Sequence, residues 1–164
     1  MLIRAVYLIS RSGLLLLDRV YGEMENAPDS VMVSSFFTAL LTFSSESVKK
    51  LAEALDKSSS TIIDQSIDAF TYGNLRFLFY EQDQIFLVLV VPRSAEQDMI
   101  RPLGDKILEK FLTEYDMSFA SLSDPDMSKY EPFKSEIDKL LIQDIDLNPV
   151  VKEIEFFKQL LEIR

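Results

Sequence analysis

The sequence predicts an α/β protein: a three-layer α/β/α sandwich around a five-stranded mixed sheet. Three observations support this fold class. The elements follow the order β-β-α-β-β-β-α, with further helices towards the C-terminus. Residues 2–10 and 85–91 are apolar on both faces, so helices must cover both sides of the sheet. Short turns make neighbouring strands antiparallel within each group.

The N-terminal part of the chain reads as a hairpin followed by a long helix. Residues 2–10 (LIRAVYLIS) and 14–21 (LLLLDRVY) are strand-like and flank a short turn that contains Gly13. Apolar side chains then recur every three to four positions from Val33 to Leu55, which is typical of an amphipathic helix capped by Asp29 or Ser30. Residues 44–47 (SSES) are a weak point where we expect a bend or a restart.

The middle of the chain predicts three strands, at residues 66–72, 75–80 and 85–91. The first of these alternates polar and apolar side chains, as an edge strand does, so the two apolar strands belong in the centre. With the five strands numbered in chain order, we expect the first and fifth to be neighbours in the centre. The second strand then flanks the first, and the fourth and then the third lie on the other side of the fifth. The first and fifth strands are joined through the whole middle of the chain, so their pairing need not be antiparallel, which makes the sheet mixed.

Helices dominate the rest of the sequence. Ser94 and Gln97 form a capping box that starts a helix with Pro102 inside it, where we expect a kink. A loop over 117–127, a short helix after Ser128 and a last helix after Asn148-Pro149 complete the chain. We expect a domain over residues 1–116, with residues 117–164 as a helical extension packed on that same domain.

Composition excludes several classes of function. The chain has no His and no Cys, which rules out a Ser-His-Asp triad, a thiolate nucleophile and a Cys/His metal site. A net charge of −10 disfavours binding to nucleic acid and to anionic lipid. The longest apolar run is residues 85–91, far short of the roughly 20 residues that span a bilayer. We expect a cytoplasmic protein without direct membrane insertion, peripheral to membranes only through a partner.

Nothing in the sequence predicts a cofactor, a metal ion or a catalytic residue. The glycines lack the spacing of a phosphate-binding loop. Asp124, Asp126 and Glu131 are oxygen ligands suited to a hard cation, but their spacing is not that of a calcium loop, so we interpret them as loop residues.

Three segments resemble parts of the longin domain. The segment IRAVYLISRSGLLLLDRVYG resembles its opening hairpin, and SVMVSSFFTALLTFS resembles its first helix. The segment NLRFLFYEQDQIFLVLVVPRS resembles the strand pair before its second helix. The resemblance covers residues 1–115 and consists of apolar residues in register. The related roadblock group usually begins with a helix. We expect no SNARE heptad helix or membrane anchor after the domain, unlike in SNAREs of the longin type. Longin domains occur in archaea and in eukaryotes.

The resemblance implies protein binding without catalysis. Longin domains are interaction modules of vesicle trafficking, and several pair with another longin or roadblock subunit to form platforms for small Ras-like GTPases. We therefore expect a GTPase or a longin or roadblock domain as the partner, and self-association stays open. Alternatives are a small coat subunit of the sigma type in clathrin-type adaptors, which also carries C-terminal helices, and a carboxylate-based enzyme, which would need a concave polar pocket with a buried carboxylate.

Four residues are candidates for partner binding: Phe36, Asp68, Phe70 and Tyr72. The last three lie on the predicted edge strand, which can accept a partner strand or be guarded by its Asp side chains. Phe36 and Phe37 are adjacent in a helix and point about 100° apart, so we place Phe37 in the core and leave Phe36 open between core and interface. Residues 114–164 carry an acidic excess, which either is solvated or attracts a basic partner.

Overall fold

A computed structural model describes residues 2–22, 29–55, 68–124 and 126–147. The strands are β1 (Ala5–Ser10), β2 (Leu15–Val20), β3 (Ala69–Tyr72), β4 (Leu75–Gln82) and β5 (Ile85–Pro92). The helices are α1 (Ser30–Leu55), α2 (Gln97–Glu114), α3 (Phe119–Leu122) and α4 (Phe133–Leu147), with a 3₁₀ turn at Ser128–Tyr130. This is the β-β-α-β-β-β-α order that the longin resemblance implies, and the α/β fold class is confirmed.

The strands form one sheet in the order β2-β1-β5-β4-β3, with the two most apolar strands in the centre as predicted. The prediction of a mixed sheet is wrong, because every pairing is antiparallel, including β1 with β5. The reason lies in the return path through α1. This helix of 26 residues carries the chain back along the sheet, so that β3 runs in the same direction as β2. The two tight turns after β3 then orient β5 opposite to β1.

Helices cover both faces of the sheet. On one face of the sheet, Phe37 of α1 is buried against strand side chains that include Tyr7, Phe79 and Val88. On the other face α2 and α4 bury a larger set, which includes Ile100, Ile107, Phe111, Phe133, Ile137 and Leu141. The three predicted layers are therefore present, with a core on each side of the sheet.

Several local predictions differ from the structure. Helix α1 continues through residues 44–47 without a restart. Helix α2 has Glu96 as its N-cap without a side-chain capping bond, so the capping box at Ser94 is not formed. The loop over 117–127 contains the short α3. The strand start at residues 66–67 and the last helix, predicted after Asn148, lie outside the described residues.

Helix α2 lies close against β4 because residue 104 is glycine. A Cβ atom at Gly104 would overlap the ring of Tyr80, which is itself nearly buried. The close approach seats α2 over the centre of the sheet, against β4 and β5. Strand β3 lies beyond this covered region, at the rim.

Candidate protein-binding surface at the β3 edge

Strand β3 has peptide groups that point away from β4 and that no strand among the described residues pairs with. The carbonyl oxygen of Asp68 accepts a hydrogen bond from the Phe79 amide at 3.0 Å, and the register then pairs Phe70 with Phe77. Because hydrogen-bonded positions alternate along an antiparallel strand, the amides of Ala69 and Thr71 point away from β4. Within the described part of the chain no strand lies beyond β3. This edge can therefore accept a further strand.

Three of the four predicted binding residues lie on one side of the sheet. Phe70 is half-buried, with its ring centroid 5.9 Å from that of Phe77, among the side chains on the α1 side. Tyr72 is two positions further along β3, so it faces the same side, and it is 75% exposed. Phe36 is 53% exposed on α1, and its ring contacts that of Phe37 edge-on at 5.5 Å.

Asp68, the fourth predicted residue, lies at the start of β3 and forms an ion pair with Arg101 of α2 at 3.4 Å. Both side chains are largely exposed, so the pair links the two elements across open surface. The structure thus places Phe36, Phe70 and Tyr72 on the α1 side of the sheet, while Asp68 is engaged with α2. Whether any of them contacts a partner stays a prediction.

The outer surface of α1 has further exposed apolar residues, which the sequence patterns did not predict as binding residues. Met32 is 67% exposed and Phe43 is 70% exposed, and Val31 is also solvent-exposed. Residues 30–45 contain no charged side chain, in a chain in which 27% of residues are charged. That uncharged run is the signal that could have identified these residues, because an exposed helix surface normally carries charge.

Three of the exposed apolar side chains of α1 lie on the flank nearer β3: Met32, Phe36 and Phe43. Thr38 on the other flank contacts Gly13 in the turn between β1 and β2. Phe37 points inward, with its ring 5.4 Å from Phe77 and 5.7 Å from Phe79. A helix turns about 100° per residue, so Phe36, Met32 and Phe43 lie on the flank opposite Thr38. We name this apolar area the α1–β3 surface: Met32, Phe36, Phe43, Phe70 and Tyr72.

The opposite edge of the sheet holds an ionisable cluster that serves the fold. Asp138 of α4 accepts hydrogen bonds from Arg19 at 2.8 and 3.2 Å and from the Tyr21 hydroxyl at 2.6 Å. Burial alone raises the pKa of Asp138, but the hydrogen bonds from Tyr21 and Arg19 outweigh it, so the pKa lies below its usual value. Burial raises the pKa of Tyr21, and Asp138 raises it further. All three groups satisfy one another and join β2 to α4.

Other charged groups are also engaged in local structure. A surface groove between α2 and α4 contains Lys110, whose ammonium pairs with Glu136 at 2.9 Å and with Glu114 at 3.6 Å. Asp124 and Asp126 accept bonds from the backbone amides of Asp126 and Ser128, so their carboxylates close turns of the loop. Among the described residues no cluster of three or more acidic side chains is arranged to hold a metal ion.

None of the described helices combines the length and the hydrophobicity that crossing a bilayer demands.

No protein-family model and no curated protein matches this sequence. Three structural neighbours share the path of part of the chain. MglB of Myxococcus xanthus has a TM-score of 0.49 at 12% identity, over 68% of this chain and 85% of that chain. A roadblock/LC7 domain from Streptomyces avermitilis has a TM-score of 0.46 at 12% identity, over 69% of this chain and 88% of that chain. A chain in a homology model of the full-length AP-3 complex has a TM-score of 0.47 at 10% identity, over 88% of this chain and 95% of that chain.

Proposed function

We propose that this chain is a non-enzymatic protein-interaction module of the longin type. Its partner is a small Ras-like GTPase or another longin or roadblock subunit, as the sequence resemblance implies. The observation that carries the proposal is the α1–β3 surface, where an open strand edge lies beside an uncharged, exposed helix flank. Such a surface offers directional backbone bonds from β3 together with apolar area from α1.

The energetics of this surface favour protein binding. Burying an exposed Phe or Met side chain against a partner stabilises the complex by about 1.5–3 kcal/mol if it is fully exposed beforehand. Phe36, Phe43 and Met32 are each more than half exposed, so most of that gain is still available. No charge has to be desolvated along residues 30–45. Helix α4 packs on α2 and β2, which supports residues 117–147 as part of the same folded unit.

The proposal is tested by removing one outward-facing amide. Thr71→Pro deletes an N–H that points away from β4, so the pairing of β3 with β4 is retained while strand addition is blocked. We expect at least a tenfold loss of affinity for a purified Ras-like GTPase, longin or roadblock domain, measured by calorimetry. Release of a fluorescent nucleotide then reports whether a bound GTPase is also regulated.

Thr71→Val is the matched control, because it keeps the amide and the β-branched shape. It should bind as the unmodified chain does, and circular dichroism should show that both variants are folded. If Thr71→Pro binds every partner in the panel as tightly as Thr71→Val, strand addition at β3 is wrong. If neither the unmodified chain nor any variant binds a member of the panel, the longin-type partner assignment is wrong.

A further inference from the structure

We propose that one end of the sheet binds an acidic peptide segment of a partner protein through three arginines. This surface uses none of the residues of the α1–β3 surface, so the inference goes beyond the proposed function. The three residues are Arg4, just before β1, Arg76 in β4, and Arg93, just after β5. We name them the arginine patch.

The strand pairing brings the three arginines to the same end of the sheet. The backbone amide of Arg4 donates to the carbonyl oxygen of Val90 at 2.7 Å. The backbone amide of Arg93 donates to the carbonyl oxygen of Asn74 at 2.8 Å. Arg76 is the second residue of β4, which pairs with the end of β5. Arg4 and Arg76 therefore lie on the two strands that flank the end of β5, with their backbones about 10 Å apart.

The arginine patch carries positive charge that the described residues do not neutralise. Arg4 and Arg93 are exposed, and Arg76 is half-buried. Within the described ranges, no carboxylate forms an ion pair with any of the three. Other basic side chains of the surface are paired, as Arg11 is with Glu81. Three unpaired arginines at one place, in a chain of net charge −10, favour contact with an anionic partner.

The contact of Arg76 favours several separate carboxylates over one small anion. Its Nη1 atom donates to the carbonyl oxygen of Ala95 at 3.0 Å, which holds the guanidinium beside the segment that leads into α2. Arg76 cannot swing towards Arg4 without breaking this bond, and its other N–H donors stay available. Side chains at alternate positions of an extended peptide are about 7 Å apart. Successive carboxylates at that spacing can each meet a different guanidinium in the bidentate geometry that arginine favours.

The charge around the arginine patch disfavours larger anionic partners. Glu96 and Asp98 are exposed at the start of α2, close in sequence to Arg93, and the whole chain is acidic. A nucleic acid or an anionic membrane presents negative charge over a wide area, so the surrounding carboxylates would repel it. A segment with two or three carboxylates contacts the arginine patch alone. The partner chemistry that fits is therefore a short acidic peptide.

The inference is tested by a nuclear magnetic resonance titration of the full chain, labelled with ¹⁵N, with a synthetic peptide of sequence GDSDSDG. We expect weak binding that weakens further as salt is added, because the contacts are exposed and charged. The backbone amide shifts should be largest around Arg4, Arg76 and Arg93. The peptide GNSNSNG has a similar shape without the charge and should cause no such shifts. Equal shifts with both peptides would overturn the inference.

The double variant Arg4→Gln/Arg93→Gln tests the arginine patch itself. Neither side chain forms a hydrogen bond or an ion pair with a described residue, so the variant should fold, which circular dichroism checks. We expect it to bind GDSDSDG at least tenfold more weakly than the unmodified chain. Lys50→Gln/Lys106→Gln is the matched control, because it removes the same two charges from exposed positions of α1 and α2. An equal loss in both variants would show that net charge alone governs binding and would contradict the inference.

Inorganic phosphate and vesicles of phosphatidylserine serve as comparison ligands. If the shifts around the arginine patch arise with phosphate or with vesicles and not with GDSDSDG, the assignment to an acidic peptide is wrong. An absence of shifts with GDSDSDG at low salt also overturns it. Because the arginine patch shares no residue with the α1–β3 surface, the Thr71→Pro experiment can succeed or fail independently of these outcomes.

Discussion

The two edges of the sheet differ in how side chains connect them to the helices. At the β2 edge, Asp18 accepts a hydrogen bond from the Ser30 hydroxyl of α1 at 2.7 Å and lies 3.9 Å from the Lys134 ammonium of α4. Two residues of the same segment, Arg19 and Tyr21, both reach Asp138. Helix α1 on one face of the sheet and helix α4 on the other are thus both connected to the β2 edge by side-chain contacts.

Among the described residues, fewer side-chain contacts connect the β3 edge to the helices. The strand has only four residues, and the ion pair of Asp68 with Arg101 connects it to α2 across exposed surface. A sheet with two edges can have one binding site when its two edges differ in their side-chain contacts. Side-chain contacts tie β2 to helices on both faces of the sheet, whereas the outward amides of β3 lie beside apolar side chains. A partner strand is therefore expected at β3 and not at β2.

The largest effect in this comparison is expected from opening the β2 edge. Asp138→Ala leaves Arg19 without its carboxylate and the Tyr21 hydroxyl without its acceptor. Because the ion pair is about one-third exposed, solvent replaces part of what is lost, and we expect a destabilisation of about 1–2 kcal/mol. Urea denaturation followed by circular dichroism measures it. Tyr21→Phe removes a single bond and should cost less than Asp138→Ala; an equal or larger cost would contradict a cluster centred on the carboxylate.

A smaller effect is expected from pH at the same edge. The folded state holds the pKa of Asp138 below its usual value, so its contribution is complete above the unfolded pKa of about 3.9. That contribution disappears as the pH falls through the folded pKa, because the proton then neutralises the carboxylate. The stability difference between the unmodified chain and Asp138→Asn should therefore shrink between pH 6 and pH 3. A difference that stays constant over this range would show that the carboxylate charge does not stabilise the β2 edge.

The smallest effect is expected at the β3 edge. Arg101→Ala removes the ion pair with Asp68, in which both side chains are largely exposed. Such pairs contribute little, and we expect a change below about 0.5 kcal/mol in unfolding free energy. The same denaturation experiment measures it, with Lys106→Ala on the exposed side of α2 as a control. A loss as large as that of Asp138→Ala would mean that both edges are closed alike, and the contrast between them would be wrong.

The pair Phe36-Phe37 shows how far the sequence could predict the candidate site. Adjacent helix positions had to point in different directions, and the placement of Phe37 in the core is confirmed by its exposure of 2%. The sequence left Phe36 undecided, because the width of the buried face of a helix depends on what packs beside it. Met32 and Phe43 were missed for the same reason: their apolar character fits a core as well as an interface.

The strand order was predictable because apolar strands need cover on both faces and alternating strands do not. The direction of β1 relative to β5 was not, because it depends on the path of α1 through space, which no local pattern records. The capping box at Ser94 failed for a similar reason. The chain leaving Pro92 turns through a backbone bond from Ala95 to Pro92 before the helix begins, which moves the N-cap to Glu96.

Periodicity, turn residues and composition alone determined which segments become strands and helices, which strands lie in the centre, and that neither His nor Cys chemistry is available. These properties follow from short-range geometry and from the cost of exposing apolar surface. Only the tertiary structure decided that the sheet is wholly antiparallel, that Asp18 and Asp138 tie the β2 edge to helices, and that the apolar flank of α1 stays exposed beside β3. Each of these depends on residues far apart in the chain meeting in space, and sequence spacing does not encode that distance.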